Sequence, residues 1–330
     1  MTIRESRPRP ATSLEVAQRA GVSRSTVSNI LNGNDARFSP ETRERVRAAA
    51  TELEYRPSPA GRSLVSGRSE TIVVLLPNTT FNSNIQDAAD EMMSGMSALG
   101  GNVVLRFASR TVDETIEAVL ALRPLALVDM GVLSDDERAF VEMRGTITVP
   151  SRQNATGALP SDGGIGAIQA RALLDGGRRE LWFAALQDAR VDPYGATRFQ
   201  ALRQFCVDEG LPPIQRVAVP LTTQGGTAAV KKMLTSGEPV GVACYNDDVA
   251  MAVLAGCRVL TVEVPTALSL VGVDHTPAGR LGSPPLTTID TDLRGLIHHL
   301  ADDLRARLGA PPLSDARLPT GFTLVRGGTT

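Results

Sequence analysis

Aromatic side chains are scarce: one Trp, three Tyr and eight Phe among 330 residues. The hydrophobic interior therefore has to rest on Ala, Val and Leu. Three cysteines, Cys206, Cys244 and Cys257, are too few and too scattered for a disulfide framework, and none stands in a metal-type pair, which fits a reducing compartment. No apolar run reaches the ~18 residues of a membrane-spanning helix, and the stretch from Met1 to Thr12 lacks the apolar segment of a secretion signal. A cytoplasmic location is the expectation. The only histidines are His275, His298 and His299. The last two are adjacent, so on a helix they point to different faces and do not make an i, i+4 metal pair. There is no nucleophile elbow, P-loop or paired-Cys site. Gly163-Gly164-Ile165-Gly166 lacks dinucleotide spacing, and Asp135-Asp136-Glu137 reads as a solvated helix start. An enzyme is not expected; no catalytic residue, metal site or cofactor is nominated.

Lysine is missing from the first 68 residues, where 12 Arg face 7 acidic residues for a net charge of +5, while the rest of the chain carries −7. A basic head on an acidic body suits a phosphate-binding module attached to a sensor. The length exceeds that of one ordinary domain, so two or more compact units are expected.

The head reads as three short helices. Ser13 can cap a helix from Leu14, with Leu14, Val16, Ala17 and Ala20 facing inward. Gly21 follows, where a left-handed turn costs least. Ser23 caps a second helix running to Leu31, with Val27, Ile30 and Leu31 inward and Arg24, Ser25, Ser28 and Asn29 outward. Asn32 and Gly33 end it. A third helix starts at Ser39-Pro40 and runs to Leu53, and Tyr55 closes the small core. Two short helices about a Gly turn, polar at the start of the second, make a unit that can enter a major groove.

These residues resemble the LacI/GalR family of bacterial regulators. The matching stretches are Leu14-Glu15-Val16-Ala17, Ala20-Gly21-Val22-Ser23, Thr26-Val27-Ser28, Leu31-Asn32-Gly33, Phe38-Ser39, Thr42-Arg43, Arg45-Val46 and Tyr55-Arg56-Pro57. The loop Asn34 to Arg37 is one residue longer than usual. The resemblance implies that Arg24, Ser25 and Asn29 read base edges, with Arg24 suited to guanine and Asn29 to adenine. Ser23, Thr26, Ser28, Asn32 and the capped helix ends would hold phosphates and set the register. For the Pro/Ser/Gly/Arg-rich segment 57–70 it implies a hinge that becomes helical on DNA. There Leu64 would wedge between base pairs in the minor groove and Arg62 would reach groove or phosphate. Gly61 stands where relatives often have Ala and weakens such a helix by about 1 kcal/mol.

From Thr71 the pattern changes to apolar runs alternating with amphipathic segments. Strands are expected at Ile72–Leu76, Val103–Phe107, Leu125–Val128, Leu181–Ala185, Val217–Val219, Val240–Cys244 and Leu268–Val271. Helices fall between them, at Ile85–Leu99 and Val112–Leu122 among others. This alternation predicts parallel sheets with crossover helices, and more strands than one small sheet needs. The resemblance extends here through Asn246-Asp247, Leu270-Val271-Gly272-Val273-Asp274, Pro284 to Ile289 and Leu324-Val325-Arg326-Gly327. It implies a helix-turn-helix head (13–56) behind a flexible tail (1–12), then a hinge (57–70) and a core (71–330). The core would be periplasmic-binding-protein-like, with two doubly wound parallel-sheet subdomains, about 71–160 with 290–320 and about 161–289 with 321–330. It further implies a homodimer on a pseudo-palindromic operator, tuned by a small polar effector in the cleft, sugar-like by preference. Arg198, Asn246, Asp247 and Asp274 are the implied effector contacts. Asp247 and Asp274 have an alternative reading as caps of the following turns. After the first strand relatives often carry Asn-Pro-Phe or similar aromatics, whereas here the segment is Phe81-Asn82-Ser83-Asn84-Ile85, and an aromatic is also absent around Leu221 to Thr223, so the pocket differs from one built on sugar stacking. Two rival readings stand beside this one: a transporter's solute-binding protein, which would need a signal peptide and no DNA head, and a regulator without a small-molecule effector.

Overall fold

The computed structural model describes residues 11–31, 35–55, 70–78, 84–97, 102–150, 163–188, 194–312 and 321–330. The chain divides into an amino-terminal unit and a larger one beginning at Thr71. The first holds helices α1 (Ser13–Ala20), α2 (Arg24–Leu31) and α3 (Pro40–Glu52). Its core is Val16, Ala17, Ala20, Val27, Ile30, Val46, Ala49 and Ala50, with Val22, Leu31, Phe38, Leu53 and Tyr55 packed against it.

Two expectations for this unit are corrected. The cap of α1 is Thr12, not Ser13: its hydroxyl accepts from the Glu15 N–H while the Glu15 carboxylate takes the Thr12 N–H. The reciprocal arrangement needs an acidic residue three positions on, which only Thr12 has. Leu14, expected inward, is exposed. The inward stripe Val16, Ala17, Ala20 puts a residue two positions before Val16 on the far side of a 3.6-residue helix.

The larger unit has two sheets. The first contains β1 (Thr71–Leu76), β2 (Asn102–Phe107), β3 (Ala126–Asp129) and β4 (Ile147–Val149), in the order β2-β1-β3-β4 and parallel throughout. Helices α4 (Asn84–Ser97), α5 (Val112–Ala121) and α6 (Asp135–Glu142) connect them. Alternation along β1 serves both faces. Ile72, Val74 and Leu76 pack with Met92 and Met96 of α4, and Val73 and Leu75 pack with Ile116, Val119 and Val141. Asp135-Asp136-Glu137 is indeed an exposed helix start, with Ser134 as cap and Glu137 completing the box.

The second sheet contains β5 (Glu180–Leu186), β6 (Gln215–Val219), β7 (Val240–Cys244), β8 (Leu268–Val273), β9 (Thr287–Asp290) and β10 (Thr323–Val325), in the order β10-β9-β8-β7-β5-β6. Only β10 runs antiparallel to its neighbour. Helices α7 (Gly163–Asp175), α8 (Gly195–Asp208), α9 (Thr223–Met233), α10 (Asp247–Val259) and the short α11 (Pro277–Arg280) accompany it. After β9 the chain returns as α12 (Leu293–Arg307), whose Ile297, Leu300, Ala301 and Leu304 bury against the first sheet, and β10 then rejoins the second. Each lobe is thus completed by a segment from the far end of the sequence. The strands β4, β9 and β10 were not expected; at three or four residues each they are too short to show a period. Among the described residues no helix is long and apolar enough to cross a membrane, and no group of three metal-ligating side chains occurs.

Candidate functional site

In the amino-terminal unit, Gly21 takes φ 67 and ψ 39 at the end of α1, and its N–H reaches back to the carbonyls of that helix. A side chain would strain there. The turn delivers Ser23 to the start of α2, where its Oγ accepts from the Thr26 N–H at 3.1 Å and lies 2.7 Å from the Ser25 hydroxyl. Arg24 and Ser25 are exposed, and Thr26, Ser28 and Asn29 are half-buried. Arg24 Nε donates to Ser13 Oγ at 3.4 Å, and Asn29 Nδ2 donates to the Ser25 carbonyl at 2.7 Å. Three other arginines of the unit are held in ion pairs. Arg19 pairs with Glu52, and Arg43 and Arg47 with Asp35. Exposed Arg24 presents positive charge at a helix start, an arrangement suited to anionic phosphate and to guanine edges. Asn32, Arg62 and Leu64 lie outside the described residues.

In the larger unit Arg198, Asn246 and Asp247 gather at the carboxyl end of β7, and Asp274 follows the end of the neighbouring β8; ligands of open parallel sheets bind at such strand ends. Arg198 on α8 is buried, donates to the Tyr245 carbonyl at 2.6 Å, and sets its guanidinium over the rings of Tyr194 and Tyr245. Asn246 caps α10, its Oδ1 accepting from the Val249 N–H at 3.0 Å. Asp247 has no exposed surface. Its Oδ1 accepts from the Thr288 hydroxyl at 2.6 Å, and its Oδ2 from the Thr276 N–H at 2.7 Å and hydroxyl at 3.0 Å. Burial pushes this carboxyl up from its ordinary range, against the pull of those hydrogen bonds and of nearby His275. Asp247 thus ties α10 to the β8–α11 loop and to β9, with its oxygens committed to protein donors.

Asp274 stands apart from this buried group and lines an open cleft of about 210 Å³ together with Asn84, Asp87, His275, Arg280 and Asp290. Asp274 and His275 both have positive φ, 96 and 47, and Asp292 on the return segment has φ 46. Three non-glycine residues in the left-handed region thus line one cleft. Sequence reasoning missed Asn84, His275 and Asp290. Only the adjacency of His275 to Asp274 could have signalled one of them, because β9 was not recognised as a strand.

The glycine run at the start of α7 has a packing explanation. A Cβ on Gly166 would lie 2.7 Å from the Arg198 carbonyl, so the absence of a side chain lets α7 and α8 approach.

Residues 13–58 match the model of bacterial regulatory proteins of the lacI family, and residues 170–330 that of the periplasmic binding protein-like domain. Among curated relatives, the chain is 29% identical to the HTH-type transcriptional regulator GntR of Pseudomonas aeruginosa, over 94% of this chain and 93% of that protein. It is 25% identical to the Ribose operon repressor of Haemophilus influenzae, over 84% of this chain and 86% of that one. Its fold is similar to a lac repressor dimer bound to operator and the anti-inducer ONPF, with TM-score 0.76 and 24% identity over 97% and 99% of the two chains. A family regulator from Silicibacter pomeroyi gives TM-score 0.80 at 22% identity over 97% and 99%. With the DNA-binding head and the binding-protein-like core in this order, the chain belongs to the LacI family, DNA-binding transcriptional regulators rather than enzymes.

Proposed function

We propose that this regulator is a cytoplasmic repressor acting as a homodimer on a pseudo-palindromic operator. The observation that carries the reading is the start of α2, where exposed Arg24 and Ser25 stand beside the Ser23 cap. Arg24, Ser25 and Asn29 take base edges; Ser23, Thr26, Ser28 and Asn32 hold phosphates. The head spans 13–56 and the segment 57–70 is the hinge, with Leu64 wedging the minor groove and Arg62 beside it. A second copy joins along β2, an edge strand whose Val104, Leu105 and Phe107 are exposed apolar side chains.

The core, 71–330, senses a small hydroxyl-rich effector of sugar type between its lobes. Arg198 and Asn246 orient it from the second lobe, Asp274 accepts from its hydroxyls, and Asp247 acts by holding the loop that carries Asp274. The names of relatives support the ligand class: a ribose operon repressor and a regulator, CelR, solved as its cellobiose complex. Effector binding shifts DNA affinity only as far as it favours one core state over the other.

The test is binding of the purified chain to duplexes carrying the inverted repeat of its own promoter, with a thermal-shift screen of sugars and sugar phosphates alongside. Salt-dependent, sequence-specific binding that changes with a screen hit is the expected result. Indifference to the repeat at low ionic strength overturns the DNA reading; hits that leave DNA affinity unchanged overturn the sensor reading.

A further inference from the structure

At the end of β8 the backbone leaves the sheet abruptly. Asp274 still donates its N–H to the Ile289 carbonyl on β9 at 2.8 Å, but its own φ of 96 ends the extended run, and His275 follows at φ 47. The Asp274 carbonyl, released from the ladder, is taken by a side chain from the other lobe: Asn84 Nδ2 donates to it at 2.7 Å across a separation of 190 residues. Asn84 is the first residue of α4, the helix whose Met92 and Met96 anchor in the first sheet. Its acceptor sits on a corner that cannot swing freely. The His275 N–H donates to Thr288 Oγ1, and Thr288 and Thr276 both donate to buried Asp247. One lobe therefore presents a carbonyl on a hydrogen-bonded corner and the other an amide at the start of a helix. Both residues line the same open cleft.

We propose that Asn84 is a latch: its amide, bonded to the Asp274 carbonyl, biases the ligand-free core toward the closed approach of its two lobes. It is a positioning residue, acting on effector response by setting the fraction of molecules already in the latched arrangement. An effector that selects that arrangement has an apparent Kd equal to its intrinsic Kd divided by that fraction. Bringing the lobes together orders them, and a single charge-free hydrogen bond on the cleft wall supplies a small bias, the right size for a state that a ligand must still be able to move. The proposal rests on the reading of the cleft as an effector site, but its test needs no effector, so the two can fail separately.

The experiment measures the lobe-to-lobe distance by double electron–electron resonance on full-length, ligand-free protein. Spin labels go on Glu117→Cys in the first lobe and Glu238→Cys in the second, both exposed positions, while the native Cys206, Cys244 and Cys257 are buried. Labelled chain is diluted with unlabelled chain so that intrachain pairs dominate. Asn84→Asp keeps the shape and favours a helix start, yet sets a carboxylate oxygen against the carbonyl. It should lengthen and broaden the distance distribution beyond the wild-type width, with the melting of the head unchanged. Asn84→Gln, which keeps the amide donor, should move the distribution back toward wild type. If Asn84→Asp does not fold, Asn84→Ala is measured in its place with the same expectation. A distribution superimposable on wild type in the donor-less variant overturns the latch.

Discussion

The carboxylate of Asp247 occupies the space that Gly272 leaves by having no side chain: a Cβ on Gly272 would lie 2.1 Å from Oδ1. Gly279 approaches from another side, its Cβ position 2.9 Å from Oδ2. A buried carboxyl at the junction of α10, β8 and β9 is tolerated because it meets three protein donors and is walled by two glycines. The corner carrying Asp274 and His275 inherits its rigidity from this arrangement.

Gly272→Ala should therefore destabilise the core by about 1–3 kcal/mol through overpacking. Asp247→Ala acts differently, orphaning a buried N–H and two hydroxyls at about 1–3 kcal/mol for each group left unsatisfied. Urea unfolding followed by core fluorescence checks both; a neutral Gly272→Ala would mean the carboxylate moves aside at no cost.

The crossing of α9 and α10 should be as intolerant. A Cβ on Gly226 would stand 1.8 Å from the Ala252 carbonyl oxygen, a backbone atom that no rotamer change can remove. Gly226→Ala should push the helices apart, with a loss at or above the ~1–3 kcal/mol usual for overpacking. A melting temperature equal to wild type would refute the close crossing.

Acid should unfold the first lobe partly through Glu142. Burial raises its carboxyl, but hydrogen bonds from Arg307 and Thr148 and the Arg307 charge outweigh this and leave it below its ordinary 4.5. A lowered carboxyl contributes stability above its unfolded value and loses it as pH falls through the folded one. Glu142→Gln should lower stability at neutral pH and flatten the decline between about pH 3 and 6. Asp247 has the opposite sign: burial leads its upward shift, so its contribution is full below its ordinary 3.8 and is lost as pH rises from there through the raised folded value. Melting temperature against pH for wild type and Glu142→Gln distinguishes these; parallel curves would remove the role given to Glu142.

On DNA, Arg24→Ala should relax the preference at one base pair per half-site, by about 1–3 kcal/mol, while leaving binding to random duplex nearly intact. Competition binding against a set of single-base operator variants checks this. Equal losses on operator and random DNA would move Arg24 from base reading to phosphate binding.

The two halves of the molecule differ in how openly the sequence displays them. In the head, capping residues, Gly21 and the apolar positions act within a few residues of one another, so α2 and α3 begin where Ser23 and Ser39 indicate. The slip at Thr12 is of the same local kind, one position wide. In the core β1, β7 and β8 are legible because both faces are buried and their apolar runs are continuous. The short β9 and β10 are not, since four residues such as Thr287–Asp290 become a strand only through neighbours supplied by distant chain.

What the amino-acid order decided by itself is the sequence-local physics: a basic head with a capped, glycine-turned helix pair, then an alternating α/β body. Tertiary structure alone decided which carboxylates are structural and which face the cleft. Asp247 and Asp274 look equivalent along the chain, yet one is sealed among threonines and glycines and the other stands on an open wall opposite Asn84. The reason is that burial and hydrogen-bond partners are set by residues tens to hundreds of positions away, whose approach no local pattern encodes.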